Sequence, residues 1–318
     1  MPFFRDSTYK APLLLRNGNI STIYCGAIKK TKSLDYRRER LQLPDGDFLL
    51  LDYHLSSPQK AVILCHGLEG NSRSHYNNTC AQYFLKNGYS VFAWNNRSCG
   101  GEMNLLPKLY HHGSIEDLEF VVGNVIRRGF QEIYLIGFSL GGAQILSYFG
   151  KSKIDTRVKA AVAVSTPIQL KSSGEKIEHG FNKLYQNQMV KGLKKKIIAK
   201  SIVFPDLISS SNAGSIKNFR DIVTCFLSPI HGFKNLEDYY YRASPEENLK
   251  NIQTPVLILN ALDDPIIGKD AYPIKVAETS PYIFLETPRH GGHCAFAILN
   301  SQYAYPEIRA MNFFEKFI

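Results

Sequence analysis

Covalent acyl transfer needs three side-chain types: a hydroxyl nucleophile, an imidazole base and a carboxylate that orients the imidazole. The sequence offers candidates for all three, in the order Ser139, then Asp263 with Asp264 as its competitor, then His293. Ser139 lies in Gly137-Phe138-Ser139-Leu140-Gly141-Gly142, between the apolar run Ile133-Tyr134-Leu135-Ile136 and the helix-like stretch from Ala143 to Phe149. A serine in such a strand–turn–helix needs small neighbours, because the backbone is strained and side chains there would collide with strand and helix. Its hydroxyl is then presented at a helix N-terminus, where the Leu140 N–H can stabilise an oxyanion. The plainer alternative is a glycine-rich turn carrying a solvent-exposed serine.

The carboxylate candidate follows Pro255-Val256-Leu257-Ile258-Leu259-Asn260, an apolar run short enough to be a buried parallel strand. The run leads into Ala261-Leu262-Asp263-Asp264-Pro265. Of the two acids, Asp263 is favoured for the orienting role and turn chemistry before proline fits Asp264 better, with Asp264 as orienter the competing reading. The imidazole candidate is His293, in His290-Gly291-Gly292-His293 after the strand-like run from Tyr282 to Thr287. It follows glycines that would let a loop fold back over Ser139, whereas His290 precedes them. His111-His112 has no third ligand at metal spacing, and no metal or organic cofactor is expected.

A second oxyanion donor should come from the loop after the apolar run Ala61-Val62-Ile63-Leu64-Cys65. There the pattern His66-Gly67-Leu68-Glu69-Gly70 allows close backbone approach, so the Leu68 N–H is expected to join that of Leu140. His66 reads as an organiser of that loop.

The elements that would position these groups follow from hydrophobic periodicity. Strands are expected near 36–43, 47–53, 60–65, 90–94, 132–137, 158–164, 255–261 and 282–287, and helices near 76–87, 115–128, 140–150 and 305–317. Alternation of short apolar runs with helical patterns after residue 60 predicts a mostly parallel sheet flanked by helices. The first two strands, joined at Pro44-Asp45-Gly46, read as an antiparallel hairpin. From about 167 to 250 the alternation is interrupted, which fits a mainly helical cap insertion within one domain spanning 1–318.

Taken together, His66 to Ser72, Asn95 to Gly101, the Ser139 turn, Asn260 to Pro265 and His290 to His293 make the chain resemble the YheT-like family of α/β-hydrolases. Asp45-Gly46-Asp47-Phe48-Leu49 resembles the N-terminal hairpin of that family. Phe219 to Thr224, Gly232-Phe233 and Asp238 to Ser244 resemble its cap region. The resemblance implies an α/β-hydrolase fold and a serine hydrolase acting on carboxylic esters, with eukaryotic relatives linked to lipid esters. Ser98, Ala143 and Arg220 depart from the family pattern, where Gly, Asn and an acidic residue are more common. They leave the triad untouched and bear on the pocket, which the loop from Asn95 to Gly101 and the cap would shape.

The reaction expected of this constellation is acylation of Ser139 by a small-molecule or lipid ester, then hydrolysis. An acyltransferase or thioesterase would use the same groups, and a non-catalytic binding protein on this scaffold would need none of them.

The 318 residues carry a formal net charge of +10, with no nucleic-acid-binding motif beside it. The densest basic run, Lys191 to Lys200, has Val190, Leu193, Ile197 and Ile198 at helical spacing, so the cap could lay lysines on an anionic membrane surface. The competing reading is an ordinary solvated helix face. Six cysteines without paired spacing read as reduced thiols. Met1 to Ser7 and Leu13-Leu14-Leu15 lack the core of a signal peptide, and no apolar run is long enough to span a bilayer. A cytoplasmic protein is expected, peripheral at the inner membrane face if the cap lysines engage it.

Overall fold

A computed structural model describes residues 3–4, 7–29 and 31–317. Met1 and Pro2, part of the segment read for a signal peptide, lie outside the described residues. Among the described residues nine strands form one sheet: β1 (Phe3–Phe4), β2 (Arg37–Gln42), β3 (Phe48–His54), β4 (Lys60–Cys65), β5 (Ser90–Asn95), β6 (Glu132–Phe138), β7 (Val158–Val164), β8 (Val256–Leu259) and β9 (Ile283–Glu286). Their order across the sheet is β1-β9-β8-β7-β6-β4-β5-β3-β2. β3 pairs antiparallel with both β2 and β5, and the other pairings are parallel.

The central strands are apolar along their whole length because both faces are covered. Along β4, Ala61, Ile63 and Cys65 enter one core while Val62 and Leu64 enter the other. The period of two distributes one continuous apolar run between two layers. Helices α3 (Glu116–Arg127) and α4 (Leu140–Lys151) close the first core through Leu118, Val122 and Leu146. Helix α2 (His75–Lys86) and the C-terminal helix Tyr305–Phe314 close the second through Phe84, Phe313 and Phe314. Helix α1 (Gly18–Ile23), capped by the Asn17 side chain, lies outside both cores and had no periodic signal in the sequence.

Between β7 and β8 the chain makes a helical excursion that includes α5 (Leu170–Ile177), the 21-residue α6 (Lys183–Val203) and Leu236–Ala243. Its own apolar cluster contains Val190, Leu193, Ile197, Phe226 and Tyr239, and it takes in Leu140 at the start of α4 and Tyr110 from the loop between β5 and α3. The excursion therefore packs directly over the carboxyl ends of the strands.

The turn from β6 into α4 is held by contacts that leave no room for a Cβ. One added to Gly141 would sit 2.3 Å from the Cys65 carbonyl oxygen, and one at Gly137 would sit 2.4 Å from the Gly141 carbonyl. Backbone atoms cannot retreat as a flexible side chain can. Gly141→Ala is expected to destabilise the protein by about 3 kcal/mol in chemical denaturation. Gly214→Ala, whose Cβ would meet nothing within 4 Å, should change stability little.

Candidate active site

The loops leaving β4, β5, β6, β7 and β9 each hold a non-glycine residue at positive φ: Glu69 (57°), Ser98 (61°), Ser139 (52°), Ser165 (48°) and Cys294 (54°). Backbone held in this region persists only where its surroundings over-determine it. Ser98 occupies a position where the resembled family more often has glycine, and its left-handed backbone explains that preference.

Ser139 is the residue before α4, with φ 52° and ψ −115°, and its N–H donates to the Val164 carbonyl at 2.8 Å. Its side chain is half-buried and makes no hydrogen bond to a described residue. The next residue of β7's exit, Ser165, accepts a 2.8 Å hydrogen bond at Oγ from the N–H of Cys294, the neighbour of His293. Consecutive residues of one strand end thus moor both the serine turn and the histidine loop. A third mooring comes from α1, where Thr22 Oγ1 accepts the His293 N–H at 2.8 Å and donates to the Gly18 carbonyl at 2.6 Å. This contact joins residues 271 positions apart and carries no sequence signature.

The carboxylate against His293 is Asp264, which corrects the expectation for Asp263. His293 Nδ1–H donates to Asp264 at 2.9 Å to Oδ2 and 3.1 Å to Oδ1. Asp264 is fully buried and is fixed by the N–H groups of Ile266 and Ile267, which donate to Oδ1 at 2.8 and 3.2 Å. The turn at Asp264-Pro265 therefore aims the Asp264 carboxylate inward. Asp263 points to the other side of the loop, where Oδ1 accepts the Gly292 N–H at 2.9 Å and Oδ2 lies 3.3 Å from His290 Nδ1. Sequence spacing could not separate two adjacent acids whose directions depend on the turn.

Burial alone would hold the His293 imidazole neutral, but the adjacent Asp264 charge outweighs it and raises the pKa well above the ordinary histidine value. With Nδ1–H committed to Asp264, Nε2 is the nitrogen left to exchange a proton.

After β4, the His66 ring organises the loop as read from the sequence. Its Nδ1–H donates to the Gly67 carbonyl at 2.7 Å, and its Nε2 accepts the Asn96 N–H at 3.0 Å. Burial lowers its pKa to about 4, so it stays neutral and fixed in that tautomer. Tyr76 accepts the Gly67 N–H and Tyr110 accepts the Glu69 N–H, each at 2.9 Å. Between them, the Leu68 N–H donates to no described group. The Leu140 N–H, in the first turn of α4, has no partner within its helix.

Two further expectations are corrected. No residue from Asn95 to Gly101 lines the cavity at Ser139. Arg97 instead forms a buried network with Asp45, Asp47 and Asp117 at 2.8–3.0 Å that ties the hairpin to α3. The basic run of α6 is also not a free lysine face. Lys194 Nζ donates to the carbonyls of Gly214 and Ile216, and buried Lys200 donates to those of Asn104 and Leu106. Lys196 Nζ reaches Glu69 Oε1 at 2.6 Å and Cys99 Sγ at 3.3 Å. Only Lys191 and Lys195 of the run are exposed.

The cavity at Ser139 measures about 100 Å³. Its walls include Leu68, Leu170, Leu193 and Phe226 and are mostly apolar, with Ser139, Ser173, two histidines and three tyrosines as the polar residues. A larger cleft of about 960 Å³, lined by Arg127, Lys151, Arg242 and several acids, has no part of Ser139 in its wall.

The chain belongs to the α/β-hydrolase fold family, whose profile it matches over residues 60–298, and within it to the YheT-like group. It is 31% identical over 268 residues to Escherichia coli (strain K12) YheT, covering 81% of this chain and 78% of that protein. To the Bos taurus phospholipase ABHD3 it is 31% identical over 274 residues, covering 83% and 67%. Among solved structures, the Pyrococcus furiosus esterase PF2001 superposes with a TM-score of 0.59 at 18% identity, over 89% of this chain and 91% of that one, a likeness of fold.

In a proton-resolved NMR titration, His293 should hold its proton to higher pH than an ordinary histidine. Asp264→Asn should move that titration to lower pH by removing the charge that raises it, and Asp263→Asn should leave it nearly in place.

Proposed function

We propose that the protein is a serine hydrolase of carboxylic esters that works through an acyl-enzyme on Ser139. The observation that carries this reading is the joint mooring of Ser139 and the His293 loop on Val164 and Ser165, with Asp264 hydrogen-bonded behind His293. Relatives named as a phospholipase and a monoacylglycerol lipase support an ester as the substrate class. The apolar cavity supports a short- to medium-chain acyl group or a lipid-derived ester.

In this mechanism Ser139 Oγ attacks the ester carbonyl as its proton passes to His293 Nε2, and Asp264 stabilises the imidazolium. The Leu68 and Leu140 N–H groups hold the oxyanion of the tetrahedral intermediate. Collapse breaks the ester C–O bond, and the alcohol leaves with the proton from His293. Water then attacks the acyl-enzyme, giving its proton to the same nitrogen, and the acid departs as Ser139 recovers its hydrogen. The excursion over the strand ends acts as a cap that excludes bulk water and selects the acyl chain. Six free cysteines, five of them buried, support a reducing compartment, the cytoplasm. No helix among the described residues is long and apolar enough to cross a membrane.

A fluorophosphonate probe should label Ser139 alone, and Ser139→Ala should lose labelling and ester turnover while keeping its fold. Mapping of the label to another serine would overturn the assignment. Asp264→Asn should lower kcat on the order of 10³- to 10⁴-fold and move the acid limb of its residual pH–rate profile downward, while Asp263→Asn should cost far less. The clamp from Lys196 to Glu69 braces the loop that carries Leu68. Lys196→Met is therefore expected to lower kcat about tenfold with little loss of stability, and comparison of ester kinetics with thermal melts checks this.

A further inference from the structure

The N-terminal segment carries a surface that the ester reaction does not use. From Ser7 to Leu34 the sequence contains five basic residues and no acidic one. In the turn Leu13–Leu15 only Leu15 is buried, while Leu13 and Leu14 are 76% and 86% exposed. Ile20, on the outer side of α1, is also exposed. Two further segments that pack against this one also expose large apolar side chains.

Packing contacts bring the segments together. A Cβ on Gly18 would lie 1.9 Å from the Asp263 carbonyl oxygen, so α1 rests on the loop that exposes Leu262. Tyr185 donates a 2.9 Å hydrogen bond to Asn19 Oδ1, which seats the start of α6, with exposed Phe181 and Leu184, against the same helix. The patch borders the histidine loop, since Ser21 and Thr22 bond Gly291 and His293. Six large apolar side chains gathered from three segments mark an interaction surface, not the scattered exposure normal to a soluble protein.

The charge at its rim selects the occupant. Lys10 and Arg16 are exposed and make no ion pair among the described residues, and the acid-free sequence around them offers nothing to a basic partner. Apolar side chains flanked by unpaired cations complement an anionic lipid surface, where leucines enter the acyl boundary and cations meet headgroups.

We propose that this face, built from Leu13, Leu14, Ile20, Leu262, Phe181 and Leu184 and rimmed by Lys10 and Arg16, seats the protein on anionic bilayers beside the histidine loop. It replaces the α6 lysines as the membrane-facing group, because most of those are committed to internal acceptors.

The test is co-sedimentation of the full chain with phosphatidylcholine vesicles and with mixed phosphatidylcholine–phosphatidylglycerol vesicles. It is run on wild-type and Ser139→Ala protein, so that the result does not depend on turnover. Both proteins should bind the anionic vesicles at low salt and release as ionic strength rises. Leu13→Ser/Leu14→Ser should weaken binding at least about tenfold, and Lys10→Ser/Arg16→Ser should do likewise, with turnover of a small soluble ester unchanged. The charge variant keeps the test open should the leucine variant fold poorly. Absence of anionic binding, equal binding to neutral vesicles, or loss only in Lys191→Ser/Lys195→Ser would overturn the proposal. So would a dimer in light scattering that these substitutions dissociate, which would assign the face to a second copy.

Discussion

The close approach of Gly141 to the Cys65 carbonyl, which leaves no room for a Cβ, is the constraint on which the site depends. It sets how closely α4 approaches the end of β4, and so how far the serine turn stands from the loop after β4. That separation is small: a Cβ on Gly67 would lie 3.3 Å from the Ser139 Cβ. Glycine at 137 and 141 is needed for distance, since a Cβ at either would collide with backbone atoms. With any side chain there, the serine turn could not stand this close to the loop after β4.

Around this contact the strand-end loops are held by buried polar groups that fix one another. Neutral His66 links the Gly67 carbonyl to the Asn96 N–H, and Gln144 Nε2 from α4 donates to Asn96 Oδ1 at 2.9 Å. One chain of hydrogen bonds thus crosses from the loop after β4, through the loop after β5, to the helix behind Ser139. Such a network holds residues at positive φ that would relax elsewhere. The excursion adds a clamp from outside, where burial of Lys196 disfavours its charge but the neighbouring Glu69 and Cys99 restore it.

The histidine loop depends on more distant parts of the chain. His293 is held from behind by Asp264, from the sheet through Ser165, and from the N-terminal segment through Thr22. The segment that steadies the proposed base is also the one that exposes Leu13 and Leu14 beside basic residues. Docking of that segment on a lipid surface would place the histidine loop next to the interface. The site and the proposed docking face therefore share α1 as a common support.

The strands, the flanking helices and the hairpin were legible in the sequence because each follows a local rule: period two, period 3.6, or a turn at Asp45-Gly46. The strained turn at Ser139 and the glycine loop before His293 were legible too, since glycine spacing records tight backbone within a few residues. What remained hidden was set by contacts between segments far apart. Asp263 and Asp264 have the same chemistry and adjacent positions, so only the direction imposed by the turn at Pro265 and by the Ile266 and Ile267 amides distinguishes them. The α6 lysines read as a basic face because helical spacing describes one helix alone. Their partners are carbonyls and a carboxylate on other loops, and a backbone carbonyl leaves no trace in residue type. Thr22 and Ser165 were invisible for the same reason: a hydroxyl that moors a loop 271 or 129 residues away acquires its role only when the chain closes on itself.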